Sequence, residues 1–289
     1  MFDQLKNSTR TNIICIFGHP IEHSMSPIMH NVAFKDLRLD YAYIAIDIAP
    51  NNLKQAFEVV RALDIKGANI TVPHKETALN YVDEISPLAR RIGAINTIKN
   101  ENGRLIGRNT DASGAKKALK EAKIDLKGKN IMILGAGGAA RALAHSFIEE
   151  VNNLVIINRT SKRGKTLATE LSKEYHKEVL YKKFENKIFE EILPSIDILV
   201  NTTTIGMFPN MLLSPIPKIY LHEDLTVFDI IYNPLETQLM KYASKKGCRV
   251  LGGLDMLIYQ GVLSFEWWTN KTPNIELMKK SILNQLAVK

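Results

Sequence analysis

The sequence predicts an α/β protein of two domains. Short apolar runs rich in β-branched residues alternate with longer amphipathic segments, a pattern typical of parallel sheets connected by helices. The chain has 289 residues, 45% of them hydrophobic and 24% charged, which suffices for two domains with cores of their own. A glycine-rich turn at 135–138 follows directly on one apolar run, and such a passage from strand to helix is typical of doubly wound sheets.

The first series of elements occupies roughly the first hundred residues. Ser26 and Pro27 predict a helix that runs toward Leu37, with the serine as N-cap and the proline at the first helical position. Apolar residues at helical spacing predict another helix from about Asn52 to Leu63. The predicted strands of this series are 13–17, 41–46, 68–72 and 94–98.

The second series follows a joint near residues 100–128, and its strands and helices alternate regularly. Two further helices are predicted from about residue 255, the second opened by Pro273 and Asn274. The predicted strands are 130–134, 154–158, 197–201, 227–231 and 249–251, and the helices between them are 139–149, 161–174 and 235–246. We therefore predict a first domain of residues 1–112 completed by 255–289, and a second domain of residues 113–254.

Charge, hydropathy and cysteine usage exclude several classes of protein. The net charge is +8, but the lysines are scattered and no basic and aromatic cluster appears, so no nucleic-acid partner is expected. No apolar stretch is long enough to cross a bilayer and no secretion signal is visible, so we expect a cytoplasmic protein without a membrane partner. Cys15 and Cys248 are expected to be free thiols, and no metal ligands are expected. The oligomeric state stays open, a homodimer included.

Residues 131–141 carry the pattern of a dinucleotide site. Gly135, Gly137 and Ala140 fit the GxGxxG/A fingerprint between a strand and a helix. The first glycine makes the tight turn, the second lets the backbone approach a pyrophosphate, and the small third residue keeps helix and strand close. The helix N-terminus then supports the anion.

The next predicted strand indicates which dinucleotide is bound. NAD sites usually place a carboxylate there for the ribose 2′-hydroxyl, yet residues 151–169 contain no acid. Arg159 ends the strand, and Lys162, Arg163 and Lys165 follow it. Since cations bind a 2′-phosphate, the sequence favours NADP.

Four polar clusters lie at predicted strand ends or helix starts of the first domain. Two serine hydroxyls at a helix start suit a carboxylate, Asn, Thr and Asp suit ring hydroxyls, and a lysine beside an aspartate suits proton transfer. Taken singly, each cluster is better explained structurally, as a cap, a turn or a surface residue. Taken together with the nucleotide motif, the clusters favour a substrate site. The clusters are 23–27, 69–75, 96–97 and 109–111.

With these motifs in place, the sequence resembles the shikimate dehydrogenase family. The motifs occur in family order and span nearly the whole chain. They are HSMSP (23–27), NITVPHK (69–75), GAINT (93–97), NTD (109–111), GAGGAAR (135–141), NRT (158–160), NTTTIGM (201–207), DIIYNP (229–234) and GGLDMLIYQG (252–261).

The resemblance implies an oxidoreductase that reversibly reduces 3-dehydroshikimate to shikimate with NADPH, in aromatic amino-acid biosynthesis. It also implies an N-terminal α/β substrate domain and a Rossmann-type, doubly wound NADP-binding domain, with the active site in the cleft between them. Lys75 would be the general acid/base, paired with Asp111, so that both are catalytic. Substrate contacts would come from Ser24, Ser26, Thr71, Asn96, Asp111, Tyr232 and Gln260. Cofactor contacts would come from Gly135, Ala136, Gly137, Gly138, Ala139, Asn158, Arg159, Thr160, Lys162, Arg163, Ile230, Gly253 and Met256.

Two alternatives to this function are kept. A quinate dehydrogenase would be expected to vary the second serine or to carry an acid near the nucleotide loop, and a non-catalytic shikimate-binding sensor would be expected to lose Lys75 or Asp111. The chain does neither. It departs from the usual family pattern at Ala112, at Thr204 and in the length of its N-terminal extension, none of which touches a proposed catalytic group.

Overall fold

The computed structural model describes residues 11–287. The N-terminal extension therefore lies outside the described residues. The chain forms two compact units. The first comprises the described residues up to Thr110 together with those from Gly261 onward, and the second is Asp111–Gln260.

The elements alternate between strands and helices along most of the described chain. The strands are β1 (Asn12–Gly18), β2 (Tyr41–Asp47), β3 (Gly67–Ile70), β4 (Glu84–Ile85), β5 (Thr97–Glu101), β6 (Arg104–Arg108), β7 (Asn130–Leu134), β8 (Asn153–Asn158), β9 (Val179–Lys183), β10 (Ile198–Asn201), β11 (Thr226–Asp229) and β12 (Arg249–Leu251). The α-helices are α1 (Ser26–Asp36), α2 (Leu53–Ala62), α3 (Pro87–Ile92), α4 (Asp111–Glu121), α5 (Gly138–Phe147), α6 (Ser161–Tyr175), α7 (Asn186–Ile192), α8 (Gln238–Lys245), α9 (Leu254–Thr269) and α10 (Ile275–Ala287). Short 3-10 helices cover Pro50–Asn52, Thr77–Tyr81, Leu193–Ser195 and Lys218–Tyr220.

The sheet of the first unit is mixed. Its strand order is β2-β1-β3-β5-β6-β4, with β2, β1 and β3 parallel and β5 antiparallel to both neighbours. The turn between β5 and β6 uses Asn102 and Gly103 with φ of +55° and +88°, the left-handed conformation that a two-residue hairpin requires. Residues 101–103 are thus a hairpin within this sheet rather than part of a joint between domains.

The sheet of the second unit is parallel throughout. Its order, β12-β11-β10-β7-β8-β9, reverses direction at β7 and has the doubly wound topology that the sequence predicts. Its apolar strands are buried on both faces, as the continuous hydrophobic runs at 130–134 and 154–157 indicate. The carboxyl ends of β7 and β8 therefore present the glycine-rich turn and the basic segment along one edge.

Several predicted boundaries are confirmed and others are wrong. β7 and β12 match the predicted strands at 130–134 and 249–251. The prediction of a strand at 94–98 is wrong for its first half, because β5 starts only at Thr97. The prediction of 68–72 extends too far, because β3 ends at Ile70.

The predicted role of Ser26 as helix N-cap is wrong. Met25 occupies the N-cap of α1, and Ser26 is the first helical residue. The Ser26 backbone N–H is instead satisfied by the Ser24 hydroxyl, which accepts it at 3.3 Å. A loss of capping energy is therefore not expected when Ser26 is truncated.

The sequence missed elements that are short or polar. The strand β9 carries two lysines and a tyrosine, so it shows no clear apolar alternation. The helix α4 is rich in lysine, and its buried face consists mainly of alanine and glycine, which are weak signals of an apolar face. Within residues 11–287, the structure contains no helix that is both long enough and apolar enough to span a bilayer.

Candidate active site

The serine loop of the first unit, residues 19–26, leads from β1 into α1. The Ser24 backbone N–H donates to Ile21 O at 3.0 Å, which closes a tight turn. Ser24 is half-buried and Ser26 is buried. Both hydroxyls therefore stand at the N-terminal end of α1, where the helix dipole favours an anion.

The substrate loop, residues 71–75, follows β3 and carries Thr71 and Lys75. The Thr71 N–H donates to Phe17 O at 2.9 Å, and the His74 N–H donates to Thr71 O at 2.8 Å. Lys75 is half-buried, and its backbone oxygen accepts the Ile95 N–H at 2.9 Å. These contacts fix the backbone on both sides of the lysine.

Lys75 is followed by a 3-10 helix and not by an α-helix. The chain forms only a five-residue 3-10 helix, Thr77–Tyr81, two positions after the lysine. A single 3-10 segment contributes little macrodipole beside the lysine.

Asn96 belongs to a buried hydrogen-bond network in the first unit. Its side-chain Oδ1 accepts the Thr110 N–H at 2.7 Å, and its Nδ2 donates to Thr110 Oγ1 at 2.9 Å. Asn69 Nδ2 lies 3.1 Å from both Asn96 O and Ser264 Oγ. The network orients the Asn96 amide, because the Thr110 backbone N–H can pair only with its oxygen.

Sequence reasoning missed two members of this network. Ser264 lies on α9 and shares hydrogen bonds with Thr97 at 2.8 Å and Thr110 at 3.3 Å. The Tyr43 hydroxyl donates to Asn69 Oδ1 at 2.7 Å. Ser264 could have been found from the sequence as the one serine in a largely apolar helix. For Tyr43 the sequence shows only that it lies in a strand.

Asp111, Tyr232 and Gln260 belong to the second unit. Asp111 begins α4 and is buried, and Gln260 is buried on α9, where its Nε2 donates to Leu257 O at 2.8 Å. A β-carbon at Gly114 would lie 2.9 Å from the Gln260 backbone nitrogen, so the two helices touch directly. Tyr232 lies half-buried in the segment after β11.

The glycine-rich turn has the geometry that its glycines require. Gly135 adopts φ of +115°, and a β-carbon there would lie 2.5 Å from the Thr202 hydroxyl oxygen. Gly137 is the N-cap of α5, and Ala140 is fully buried. The predicted residues Ala136, Gly138 and Ala139 complete this turn and the first positions of α5. The turn thus offers backbone N–H groups and the positive end of a helix to a phosphate.

A basic rim lies beside this turn. Arg163 Nη2 is 4.0 Å from where a β-carbon on Gly137 would be, which brings its guanidinium over the turn. Arg159, Thr160 and Lys162 are exposed, and the Asn158 amide donates to Thr160 O at 2.9 Å. The cations stand at the end of β8, where NAD-binding folds carry a carboxylate.

Ile230 and Gly253 are in direct contact. A β-carbon on Gly253 would collide with the Ile230 carbonyl oxygen, and the Gly253 N–H donates to Ile231 O at 3.1 Å. Met256 is buried one turn into α9. The structure therefore brings the last predicted cofactor residues together after β11 and β12.

Asp229 is a buried carboxylate that sequence reasoning left without a role. It accepts the Thr237 hydroxyl at 2.7 Å, the Asn201 amide at 3.0 Å and the Ile231 N–H at 3.1 Å. Burial raises the pKa of Asp229 to about 6, while these three donors oppose the rise. The carboxylate holds the segment that carries Ile230 and Tyr232.

The chain is similar to known proteins over nearly its whole length. Residues 16–98 match the model of the shikimate dehydrogenase substrate binding domain, 115–208 that of shikimate / quinate 5-dehydrogenase, and 253–283 that of the shikimate 5'-dehydrogenase C-terminal domain. The chain is 48% identical over 285 residues to the shikimate dehydrogenase (NADP(+)) of Methanocaldococcus jannaschii, covering 97% of this chain and 99% of that protein. The chain belongs to the shikimate dehydrogenase family.

Solved structures of shikimate dehydrogenases share the fold. A crystal structure of a shikimate dehydrogenase in complex with NADP+ has a TM-score of 0.90 at 45% identity, covering 96% of this chain and 97% of that one. The enzyme from Thermus thermophilus, in complex with NADP(H) and shikimate, has a TM-score of 0.82 at 37% identity, covering 94% of this chain and 99% of that one. The predicted α/β fold with a Rossmann-type second unit is therefore confirmed.

The departures from the usual shikimate dehydrogenase pattern fit the structure. Ala112 is buried within α4, and alanine is the residue that most favours a helix. Thr204 lies in the loop after β10, where its backbone oxygen accepts the Met207 N–H at 3.2 Å. Among the residues that the structure describes, no group of His, Cys, Asp or Glu could hold a metal ion.

Proposed function

We propose that the protein catalyses the NADP-dependent, reversible reduction of 3-dehydroshikimate to shikimate. The observation that carries this proposal is the near full-length similarity to shikimate dehydrogenase (NADP(+)) at 48% identity. The chain also carries the residues to which the family resemblance assigns substrate and cofactor contacts. The domains proposed for substrate and for NADP are 1–112 with 255–289, and 113–254. The cytoplasm is the proposed location, because NADP and metabolic acids are available there.

The substrate is held by side chains of complementary polarity. The hydroxyls of Ser24 and Ser26, at the start of α1, bind the shikimate carboxylate. The buried amide of Asn96, oriented by Thr110, bonds a ring hydroxyl. The remaining contacts to the ring hydroxyls and the reacting oxygen come from Thr71, Asp111, Tyr232 and Gln260.

The second unit offers backbone N–H groups and cations that suit the phosphates of the cofactor. The turn from Gly135 to Ala139 approaches the pyrophosphate through its backbone, and Arg163 adds a guanidinium above it. Arg159, Thr160 and Lys162 surround the 2′-phosphate together with Asn158. When bound, NADPH supplies the hydride for the ring ketone carbon.

Lys75 moves the proton of the reaction. In the direction of reduction, its ammonium donates a proton to the ketone oxygen, which becomes the alcohol of shikimate. In the direction of oxidation, the neutral amine takes that proton from the alcohol. Asp111 orients the lysine and bonds the adjacent ring hydroxyl, and the ammonium also stabilises the negative charge that develops on the oxygen.

The test compares substrates and cofactors on the same preparation. Reduction of NADP is followed by the ultraviolet absorbance of NADPH with shikimate and with quinate, and then repeated with NAD. We expect kcat/KM to be highest for shikimate with NADP. A higher value for quinate would favour the alternative dehydrogenase, and binding of shikimate without turnover would favour the sensor.

A further inference from the structure

Asp47 uses both carboxylate oxygens to hold one stretch of backbone. It is the last residue of β2 and pairs with Gly18 at the end of β1. Its Oδ1 lies 2.6 Å from His19 Nδ1, and its Oδ2 accepts the Ile21 N–H at 3.3 Å. The carboxylate thus holds the start of the serine loop through two hydrogen bonds, one to His19 and one to Ile21.

These contacts continue toward the residues proposed to bind the carboxylate of shikimate. Ile21 O accepts the Ser24 N–H at 3.0 Å, and the Ser24 hydroxyl accepts the Ser26 N–H at 3.3 Å. A connected series of hydrogen bonds therefore runs from Asp47 to both serines. Ile21 is thus the backbone link between the Asp47 carboxylate and Ser24.

His19 also joins the serine loop to the substrate loop. Its backbone N–H donates to Val72 O at 3.0 Å, and a β-carbon on Gly18 would lie 2.5 Å from Thr71 Cγ2. His74 completes the junction, because its Nε2 lies 2.7 Å from Ile48 O, one residue after Asp47. The His19–Asp47 pair therefore lies where the two loops meet.

The pair has little to contribute to global stability. The two side chains are exposed by 47% and 43%, and exposed ion pairs typically stabilise a protein only slightly. The hydrogen bond from His19 is the main cause that lowers the pKa of Asp47, so the carboxylate is charged and accepts both donors at neutral pH. Such a pair is better suited to fixing the positions of the neighbouring loop residues than to stabilising the folded protein as a whole.

We propose that His19 and Asp47 are positioning residues, which fix the serine loop and the substrate loop relative to each other for binding of the substrate carboxylate. Neither residue touches the reacting atoms. The proposal rests on the proposed function, since it concerns how shikimate is held.

The test measures steady-state kinetics of Asp47→Ala and His19→Ala. We expect Asp47→Ala to raise the KM for shikimate about five- to tenfold, the loss of a charge-assisted hydrogen bond, while kcat and the KM for NADP stay within about twofold. The double variant should resemble Asp47→Ala alone, because the two side chains act as a unit. His19→Asn retains an N–H donor. Its KM for shikimate should therefore stay close to that of wild type, in contrast to the raised KM of His19→Ala.

Asp83 provides the matched control. It is another exposed carboxylate of the first unit, and it accepts the Leu105 N–H at 2.7 Å and an Arg61 guanidinium N–H at 2.9 Å. It lies beside β4, at the opposite edge of the sheet from β2. Asp83→Asn should leave the KM for shikimate unchanged.

The outcomes separate the two proposals. A wild-type protein without activity on shikimate would overturn the proposed function. An active wild type with an unchanged KM in Asp47→Ala would overturn only the positioning pair, as would a lower melting temperature without a change in KM. The nearly isosteric Asp47→Asn carries the same test, with a smaller rise in KM, if Asp47→Ala does not fold.

Discussion

For single residues, we propose that the cations beside the glycine-rich turn govern the choice of dinucleotide. Arg163 lies above Gly137, and Arg159 is exposed at the end of β8. At both positions a guanidinium binds a 2′-phosphate more strongly than a ribose 2′-hydroxyl, because its hydrogen bonds to a phosphate are charge-assisted. The residues proposed to set this preference are local in sequence, within 158–163.

The first prediction concerns Arg159. Arg159→Ala should raise the Kd of NADP by about 10- to 100-fold, because one guanidinium–phosphate contact contributes ~1.5–3 kcal/mol, while NAD binding changes little. Isothermal titration with both cofactors measures the effect. Lys173→Ala, which removes an exposed lysine from the last turn of α6, is the matched control and should bind NADP normally. Equal affinity of the wild type for NAD and NADP would contradict this view of the rim.

The second prediction concerns Lys75. Lys75→Ala should lower kcat by ~10²–10⁴-fold, the usual contribution of general acid/base catalysis, with the KM for shikimate within a few-fold of wild type. Steady-state assays in both directions measure it. Lys54→Ala removes an exposed lysine of α2 and should leave kcat unchanged. A Lys75→Ala protein that kept more than about a tenth of wild-type kcat would mean that another group moves the proton.

Among the elements, close backbone contacts fix the segment after β12 against the segment after β11. Gly253 packs against the Ile230 carbonyl, and the Asp229 carboxylate holds the segment from Ile231 to Thr237. The Thr237 hydroxyl also caps α8 by accepting the Met240 N–H at 3.2 Å. One buried carboxylate therefore connects a strand end to a helix start.

The third prediction compares Gly253→Ala with Gly252→Ala. Since a methyl group on Gly253 would collide with fixed backbone, Gly253→Ala should cost ~1–3 kcal/mol of unfolding free energy and weaken NADP binding. A methyl group on Gly252 would meet the flexible end of Met240 at 3.1 Å, so Gly252→Ala should cost clearly less. Urea unfolding of both variants measures the difference. Equal losses would show that the contact with Ile230 is not what requires glycine.

The fourth prediction concerns the pH dependence of stability through Asp229. Its pKa is raised by burial from 3.8 to about 6, so the folded protein binds a proton in that window that the unfolded chain has released. Its contribution is present at low pH and is lost as pH rises through the folded pKa. The unfolding free energy of wild type should therefore fall by ~1–3 kcal/mol relative to Asp229→Asn between pH 4 and 7.

Urea unfolding of both proteins across that range measures the effect. Taking the difference between them removes groups that titrate alike in both, such as His74, whose pKa burial lowers. Parallel curves for the two proteins would contradict a raised pKa of Asp229 in the folded state.

At the scale of the whole molecule, ligand binding and stability are linked. A cofactor that binds only the folded protein stabilises it in proportion to the logarithm of its concentration. The basic rim and the glycine-rich turn belong to the second unit, which holds the parallel sheet. Cofactor preference should therefore be visible in the melting behaviour of the intact chain.

The fifth prediction follows from that linkage. NADP at about 100 times its Kd should stabilise the protein by ~2.7 kcal/mol, and NAD at the same concentration should stabilise it much less. Differential scanning calorimetry with each cofactor measures the shift. Arg159→Ala should lose the advantage of NADP over NAD, and retention of that advantage would assign the preference to other residues.

Features that depend on neighbours in the chain could be predicted from the amino-acid sequence. The doubly wound sheet follows from continuous apolar strands such as β7 and β8, and the turn from Gly135 to Ala140 follows from residue sizes at fixed spacing. The absence of acids over 151–169 indicated NADP before any contact was known. These features are local, because backbone conformation and side-chain charge act over a few residues.

Features that join distant segments of the chain became visible in the folded structure. Three such features join residues from separate elements. They are the antiparallel pairing of β5 with β3, the hydrogen bond between Asn69 and Ser264, and the hydrogen bond from the Ile21 N–H to Asp47. A serine in an apolar helix or an aspartate at a strand end has many possible partners, and its own sequence neighbours do not select among them. Packing selects them, because a buried polar group is stable only where a partner of matching geometry is brought to it.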